Sequence, residues 1–266
     1  MQPAYYYING QFVKDDQAKI HVTDLGLVRG YGIFDFFRVQ DGEALFLDAH
    51  LDRFERSARL LHLPIPESRN NLQKAIMESA RLNAQPSLGI KLILTGGYSP
   101  DGYEPTTPNL IIIAKPLHIP ATPPLLKLIT YDHQRELAEV KSLNYLTPIS
   151  LLPKIRAEQA YDILYHHNGF LLESSRSNVF IIKDDKLITP KDNILKGITR
   201  MRVLEIAKTT FEVEERAVDL KELWTADEIF ITGSGKKIAP VIKIDDHVVG
   251  NGKEGKITAS IISLFK

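Results

Sequence analysis

The sequence predicts an α+β protein built as two domains, and two observations carry that expectation. Hairpin signals and helical periodicities are interleaved in both halves of the 266 residues. That mixture argues against a doubly wound parallel sheet. Four prolines also fall within the nine residues Pro116-Leu117-His118-Ile119-Pro120-Ala121-Thr122-Pro123-Pro124. So proline-dense a stretch makes an extended, semi-rigid connector. The expected division is a small N-terminal α/β domain over 1–119, a linker over 120–124 and a larger C-terminal domain over 125–266.

Each element has its own signal. Tyr5–Ile8, Asn9-Gly10 and Gln11–Val13 read as a hairpin, because Asn-Gly supplies the positive φ angles of a type I′ turn. Asp24 to Asp35 carries three glycines and reads as a loop of close backbone approach, running into a strand at Phe34–Val39. Asp48 is the expected N-cap of a helix from Ala49 to Leu61, with Leu51, Phe54, Ala58 and Leu61 on one face. Arg53 lies beside that face, where an arginine either snorkels outward or pairs with an anion at the edge of the core. A second helix is expected over 69–82, then strands over 88–95 and 110–114 around a Gly/Pro-rich loop. In the second half, Leu125–Thr130 reads as a buried strand and 146–160 as a helix opening with Thr147-Pro148. Hairpins follow at 163–173 and 179–189, a helix over 198–210, strands at 213–217 and 229–232, a short helix over 220–224 and a closing helix over 257–265.

Composition narrows the function. An apolar fraction of 44% and a charged fraction of 25% describe an ordinary soluble chain with a full core. Lysine plus arginine equals aspartate plus glutamate at 33 each, so no bulk charge favours nucleic acid or an anionic membrane. The absence of cysteine removes disulfides, thiolate metal sites and cysteine nucleophiles together, and no metal site is expected. Met1 to Tyr5 shows neither a basic region nor an apolar core of a signal peptide, and the longest apolar runs are strand length. The expectation is a cytoplasmic protein.

Three stretches carry chemistry. Lys141 stands in Glu139-Val140-Lys141-Ser142-Leu143-Asn144-Tyr145, at a strand-to-helix junction. A lysine buried there loses its charge more easily, and a neutral amine is the form that condenses with a carbonyl. Leu195-Lys196-Gly197-Ile198-Thr199-Arg200 puts free backbone N–H groups and a hydroxyl at a helix start, a ready anion site. Thr232-Gly233-Ser234-Gly235 places hydroxyls and glycines at a strand end, where a backbone nest can form. With Lys141 and Arg53, the two cradles suggest one shared phosphate.

These stretches, with His50-Leu51-Asp52-Arg53-Phe54, Glu173-Ser174-Ser175-Arg176-Ser177-Asn178-Val179-Phe180 and Gly250 to Gly255, resemble the fold-type IV aminotransferases that use pyridoxal phosphate. The resemblance runs nearly end to end. It implies a small N-terminal domain, a barrel-like C-terminal domain and a homodimer acting on an amino acid and a 2-oxo acid. It makes Lys141 the lysine that condenses with the cofactor and then moves the substrate's proton. Glu173 becomes the partner of the pyridine nitrogen, keeping the ring protonated as an electron sink. Arg53, Gly197, Ile198, Thr199, Gly233 and Ser234 become the phosphate cradle, Leu195 packs on the ring face, and Tyr145 reaches the ring hydroxyl.

The departures concern the substrate. The Tyr, Arg and His with which D-amino acid aminotransferases hold a carboxylate are matched here by Phe34, Asp101 and Tyr103. The Tyr-x-Arg of branched-chain enzymes is matched by Gly89-Ile90-Lys91, and Lys237 stands where many relatives have an acid. Arg29, Lys91 and Arg176, beside Phe34, remain as candidate substrate-binding residues. The favoured expectation is a D-amino acid transaminase using D-glutamate. The alternatives are a branched-chain L-amino acid aminotransferase and an aminodeoxychorismate-type lyase.

Overall fold

The computed structural model describes residues 4–265, so the first three residues read for a leader, and the last residue, lie outside it. The chain forms two compact units, one of residues 1–118 with 140–145, the other of 119–139 with 146–266.

The first unit is an antiparallel sheet under two helices. Asn9 and Gly10 hold φ of 46° and 92°, the positive pair that a tight hairpin turn needs. They join β1 (Tyr5–Ile8) to β2 (Gln11–Lys14) with Ile8 opposite Gln11. Within the glycine loop, the Asp24 carboxylate accepts the Gly26 N–H at 2.7 Å and starts the short α1 (Leu25–Val28). β3 (Gly32–Gln40) and β4 (Glu43–Ala44) follow, then α2 (Leu47–Leu60), α3 (Arg69–Asn83), β5 (Ser87–Thr95) and β6 (Leu110–Pro116). The sheet order is β2-β1-β6-β5-β3-β4. Leu51, Phe54 and Ala58 of α2 and Leu72 and Ile76 of α3 pack with Ile33, Phe37, Ile90, Leu92 and Ile112 in one core.

Asp48 is not the N-cap. The helix starts two residues earlier than expected, at Leu47, and Phe46 stands at the cap in the left-handed region with φ 55°. The Asp48 carboxylate instead accepts from Arg69 Nη2 at 3.1 Å and Gln73 Nε2 at 3.2 Å, tying α2 to α3.

The second unit contains a closed barrel. Its strands are β7 (Leu126–Asp132), β8 (Asp162–His167), β9 (Phe170–Ser174), β10 (Ser177–Lys183), β11 (Lys186–Pro190), β12 (Glu212–Arg216), β13 (Val218–Asp219), β14 (Glu228–Gly233), β15 (Lys237–Ile244) and β16 (His247–Val248). Pairing runs β10-β14-β15-β7-β8-β9, and β9 pairs back to β10, which closes a ring of six. Every member gives a buried side chain to one cluster: Leu128, Leu164, Leu171, Val179, Ile231 and Ala239. Strand alternation sends Phe180, Ile182 and Phe230 the other way, against Val203 and Leu204 of α6 (Ile198–Ala207) and Ile261 of α8 (Lys256–Leu264). A short α7 (Leu220–Leu223) begins with a capping box between Asp219 and Glu222.

Two expectations change here. The helix expected over 146–160 is broken into α4 (Leu146–Ser150) and α5 (Leu152–Ala157). Pro153 lies in the first turn of α5; lacking an N–H, it cannot continue the ladder of the preceding turn. The stretch 140–145, which the sequence places in the C-terminal domain, clusters with the first unit. There it pairs along β3: Phe34 donates its N–H to Lys141 O and Leu143 donates to Gly32 O, both at 2.9 Å. Lys141 is thus set on the edge of a strand, ahead of a helix that begins five residues later.

Candidate active site

In the first unit the lysine stands over an aromatic surface. Its backbone is fixed by the β3 pairing and by a 3.3 Å bond from its N–H to Ser57 Oγ on α2. Lys141 Nζ lies 4.4 Å from the centre of the Phe34 ring, and Lys91 Nζ lies 5.5 Å from the same ring. The Tyr145 ring meets Phe34 edge-on at 5.7 Å. Phe34, Lys91, Lys141 and Tyr145 are therefore gathered around one ring in the first unit.

Arg53 resolves its two open readings in favour of an anion, and the anion is Asp35. Arg53 Nε and Nη2 donate to the two Asp35 oxygens at 2.8 Å each, and His50 Nδ1 is 2.7 Å from Oδ1. Asp35 is fully buried and the Arg53 side chain is 9% exposed. Burial alone would raise the Asp35 proton affinity, but the Arg53 and His50 contacts override it and hold the carboxyl well below its usual range. Burial, partly offset by the bond to Asp35, also lowers the pKa of His50. Asp35 was not read from the sequence. Its signal was there, a single carboxylate inside Ile33-Phe34-Asp35-Phe36-Phe37, since a charge in such a strand needs a buried partner.

In the second unit Glu173, 5% exposed, is held on both oxygens. Arg135 donates to Oε1 from Nε at 3.0 Å and from Nη2 at 2.8 Å. Oε2 accepts the Leu195 N–H at 3.1 Å and Asn178 Nδ2 at 3.3 Å, and the same amide nitrogen donates to Leu195 O at 2.8 Å. This fastens Leu195 beside Glu173. Such charge-assisted bonds favour the ionised carboxylate. Arg135 and Asn178 are the residues the sequence reading missed here; Arg135 is 38 residues from its partner, and no local pattern announces the pair.

Both cradles are built in this unit. Gly197 is the N-cap of α6 in extended conformation, and among the described residues no side chain caps that helix. Its glycine is required by packing, because a Cβ there would sit 2.1 Å from Asn178 Oδ1. Ile198 and Thr199 follow in the first turn, 6% and 7% exposed. An uncapped first turn is a ready anion site. The second cradle closes with Lys236 N–H donating to Gly233 O at 3.1 Å, which leaves Ser234 and Gly235 at the tip. At its entry Thr232 Oγ1 is buried with no hydrogen-bond partner among the described residues. These groups fit a phosphate ester.

The other residues read for substrate binding have local partners. Arg29 is exposed and donates to the neighbouring Val28 O at 3.3 Å. Asp101 is used by its own loop, accepting from Ser99 Oγ and the N–H groups of Tyr103 and Glu104. Arg176, in the other unit, has its Nε 3.6 Å from Asp162.

In the barrel unit, a glutamate held on both oxygens and two glycine-led anion cradles suit an enzyme whose cofactor carries a phosphate. The family model for amino-transferase class IV matches residues 32–244, and the chain belongs to that family. It is 38% identical to a Methanocaldococcus jannaschii protein named "Putative branched-chain-amino-acid aminotransferase", over 98% of this chain and 94% of that one. It is 29% identical to a D-alanine aminotransferase of Bacillus licheniformis, over 95% and 93% of the two chains. Among solved structures it matches the branched-chain amino acid aminotransferase of Escherichia coli. That match has a TM-score of 0.91 and 28% identity, and covers 100% of this chain and 95% of that one. Another branched-chain enzyme that it matches was solved in complex with N-(5'-phosphopyridoxyl)-L-glutamate. The protein is a pyridoxal-phosphate-dependent class IV aminotransferase.

Proposed function

We propose that this enzyme transfers amino groups between branched-chain L-amino acids and 2-oxo acids. The observation that carries the reading is the aromatic surface of Phe34 and Tyr145 beside the Lys141 amine. It offers apolar contact to an aliphatic side chain at the reacting atoms. The names of the similar proteins point the same way. The D-glutamate reading favoured by the sequence becomes the second, because the exposed Arg29 guanidinium donates to its own neighbour Val28 O.

Pyridoxal phosphate, when bound, supplies an aldehyde that takes up the amino group and a ring that accepts electrons. The chain's own residues do the rest. Lys141 would provide the amine and carry the proton to and from the substrate α-carbon. Glu173, bonded by Arg135, would accept a hydrogen bond from the ring nitrogen. The N–H groups of Ile198 and Thr199, the hydroxyls of Thr199 and Ser234, and Arg53 would bind the phosphate, with Gly197 and Gly233 giving the backbone room. Leu195 would pack on the ring and Tyr145 would serve its hydroxyl.

The working form in this reading is a homodimer. α4 buries none of its described residues, and Leu146 and Ile149 are 76% and 61% exposed, the kind of apolar surface that a partner covers. A cysteine-free chain also fits a reducing compartment such as the cytoplasm. The test is a donor screen with 2-oxoglutarate. L-leucine, L-isoleucine and L-valine are expected to exceed D-alanine and D-glutamate in kcat/KM by at least tenfold. A preference for a D-amino acid would reverse the assignment.

A further inference from the structure

Lys236 is a lysine in a hairpin turn, a position where the amine ordinarily reaches into water. Here it does not. The β14–β15 turn closes through Lys237 in the left-handed region, φ 61°, a conformation that non-glycine residues adopt rarely and that gathers at functional sites. The Lys236 side chain folds back, donates to Ser177 Oγ at 2.5 Å and stands 4.9 Å from the centre of the Tyr161 ring. Arg176 stands over the same ring at 5.8 Å.

Two cations thus share one aromatic ring, and a single carboxylate, Asp162, faces both. Asp162 is already occupied. It accepts from Ser175 Oγ at 2.6 Å, the Ile163 N–H at 2.9 Å and Ser174 Oγ at 3.4 Å, with Arg176 Nε at 3.6 Å. The cluster of Lys236, Arg176 and Asp162 therefore carries one surplus positive charge, with Asp162 buried, Lys236 half-buried and the Arg176 side chain 56% exposed. It is also tied to the reaction site of its own unit. Ser177, which Lys236 holds, is the chain neighbour of Asn178, which holds Glu173, and Lys236 is two residues from Ser234.

We propose that Lys236, with Arg176, is the subsite for the second carboxylate of a dicarboxylic substrate, an amino acid or 2-oxo acid of the glutamate type. The inference rests on the transaminase reading and adds to it the group that lets one site alternate between aliphatic and acidic substrates. Burial, opposed by Asp162 and helped by Arg176, lowers the Lys236 amine to about 8. Such an amine can give up its proton while an aliphatic substrate is bound, so no bare charge stays buried. When a dicarboxylate arrives, its negative charge draws the proton back and completes an ion pair. A permanently charged guanidinium alone could not respond in this way.

The experiment compares Lys236→Gln with the wild type. The variant keeps a donor for Ser177 and removes the charge. The ratio of kcat/KM for 2-oxoglutarate to that for 4-methyl-2-oxopentanoate is expected to fall at least tenfold, mainly through KM, and Lys236→Arg to recover most of it. A ratio within twofold of the wild type overturns the proposal. So does a tenfold loss of pyridoxal-phosphate affinity with no change of ratio, which would make the anion the cofactor's phosphate. A second measurement needs no variant. Amine acylation of the wild-type holoenzyme at pH 8, mapped by mass spectrometry, is expected to mark Lys236 and to be blocked by glutarate but not by 4-methylpentanoate. Equal labelling with and without glutarate overturns it as well. If the wild type refuses branched-chain substrates, the branched-chain assignment fails separately, because the glutarate protection is read without them.

Discussion

Asp35 decides how Arg53 can act. A guanidinium free to rotate would meet a phosphate only part of the time, whereas a fork bonded through Nε and Nη2 to a buried carboxylate presents its remaining nitrogen in one direction. Removing one partner of such a pair strands the other charge, at a cost of roughly 3–5 kcal/mol. Asp35→Asn is therefore expected to lower the melting temperature of the apoenzyme clearly and to weaken pyridoxal-phosphate binding about tenfold or more, both measurable by thermal denaturation and fluorescence titration. Glu173 is expected to act through the ring nitrogen. Glu173→Gln should slow the half-reaction by about two decades, since each 1.4 kcal/mol of lost stabilisation is about tenfold; stopped-flow absorbance checks this. At this scale Lys141 and Glu173 are legible through their motifs. The partners Asp35 of Arg53, Arg135 of Glu173 and Lys236 of Ser177 are not, because these contacts join residues 18, 38 and 59 apart in the chain.

Elements built on local turn chemistry were the most legible. Asn9-Gly10, Asn168-Gly169 and Asp184-Asp185 all hold positive φ at both positions, and each closes the hairpin its residues announce. Legibility failed where tertiary pairing overrode a local pattern. The apolar spacing after Tyr145 suggests one helix over 146–160; Pro153 divides it, and its first piece buries none of its described residues. No periodicity could show that 140–145 leaves the barrel unit to pair with β3. The α6 terminus combines both kinds of information, since Gly197 was visible as a cradle glycine but the reason for it, the Asn178 amide, was not. Gly197→Ala should displace Asn178 and loosen Glu173 and Leu195 together. The expected result is at least a tenfold weaker cofactor, with a fall in kcat, read by equilibrium dialysis and steady-state kinetics.

For the whole molecule, the buried Asp35–His50 pair links stability to pH. Both groups have their proton affinity lowered by folding, so the unfolded chain binds more protons and stability rises with pH across the affected range. His50 begins to oppose folding as pH falls through about 6.5, the ordinary histidine value, and Asp35 adds to it below about 3.9. Urea unfolding of the apoenzyme should show a falling midpoint from pH 7 to 4, and His50→Gln should flatten the upper part of that fall. The central claim is that Lys141 drives amino transfer from a branched-chain L-amino acid. The most direct measurement is a single turnover of the holoenzyme with L-leucine and no acceptor, followed by the visible band of bound pyridoxal phosphate. The account predicts that the band is lost in the wild type within seconds, faster than with D-glutamate, and persists in cofactor-loaded Lys141→Ala. Loss of the band at an equal rate in Lys141→Ala, or only with D-glutamate in the wild type, would contradict it.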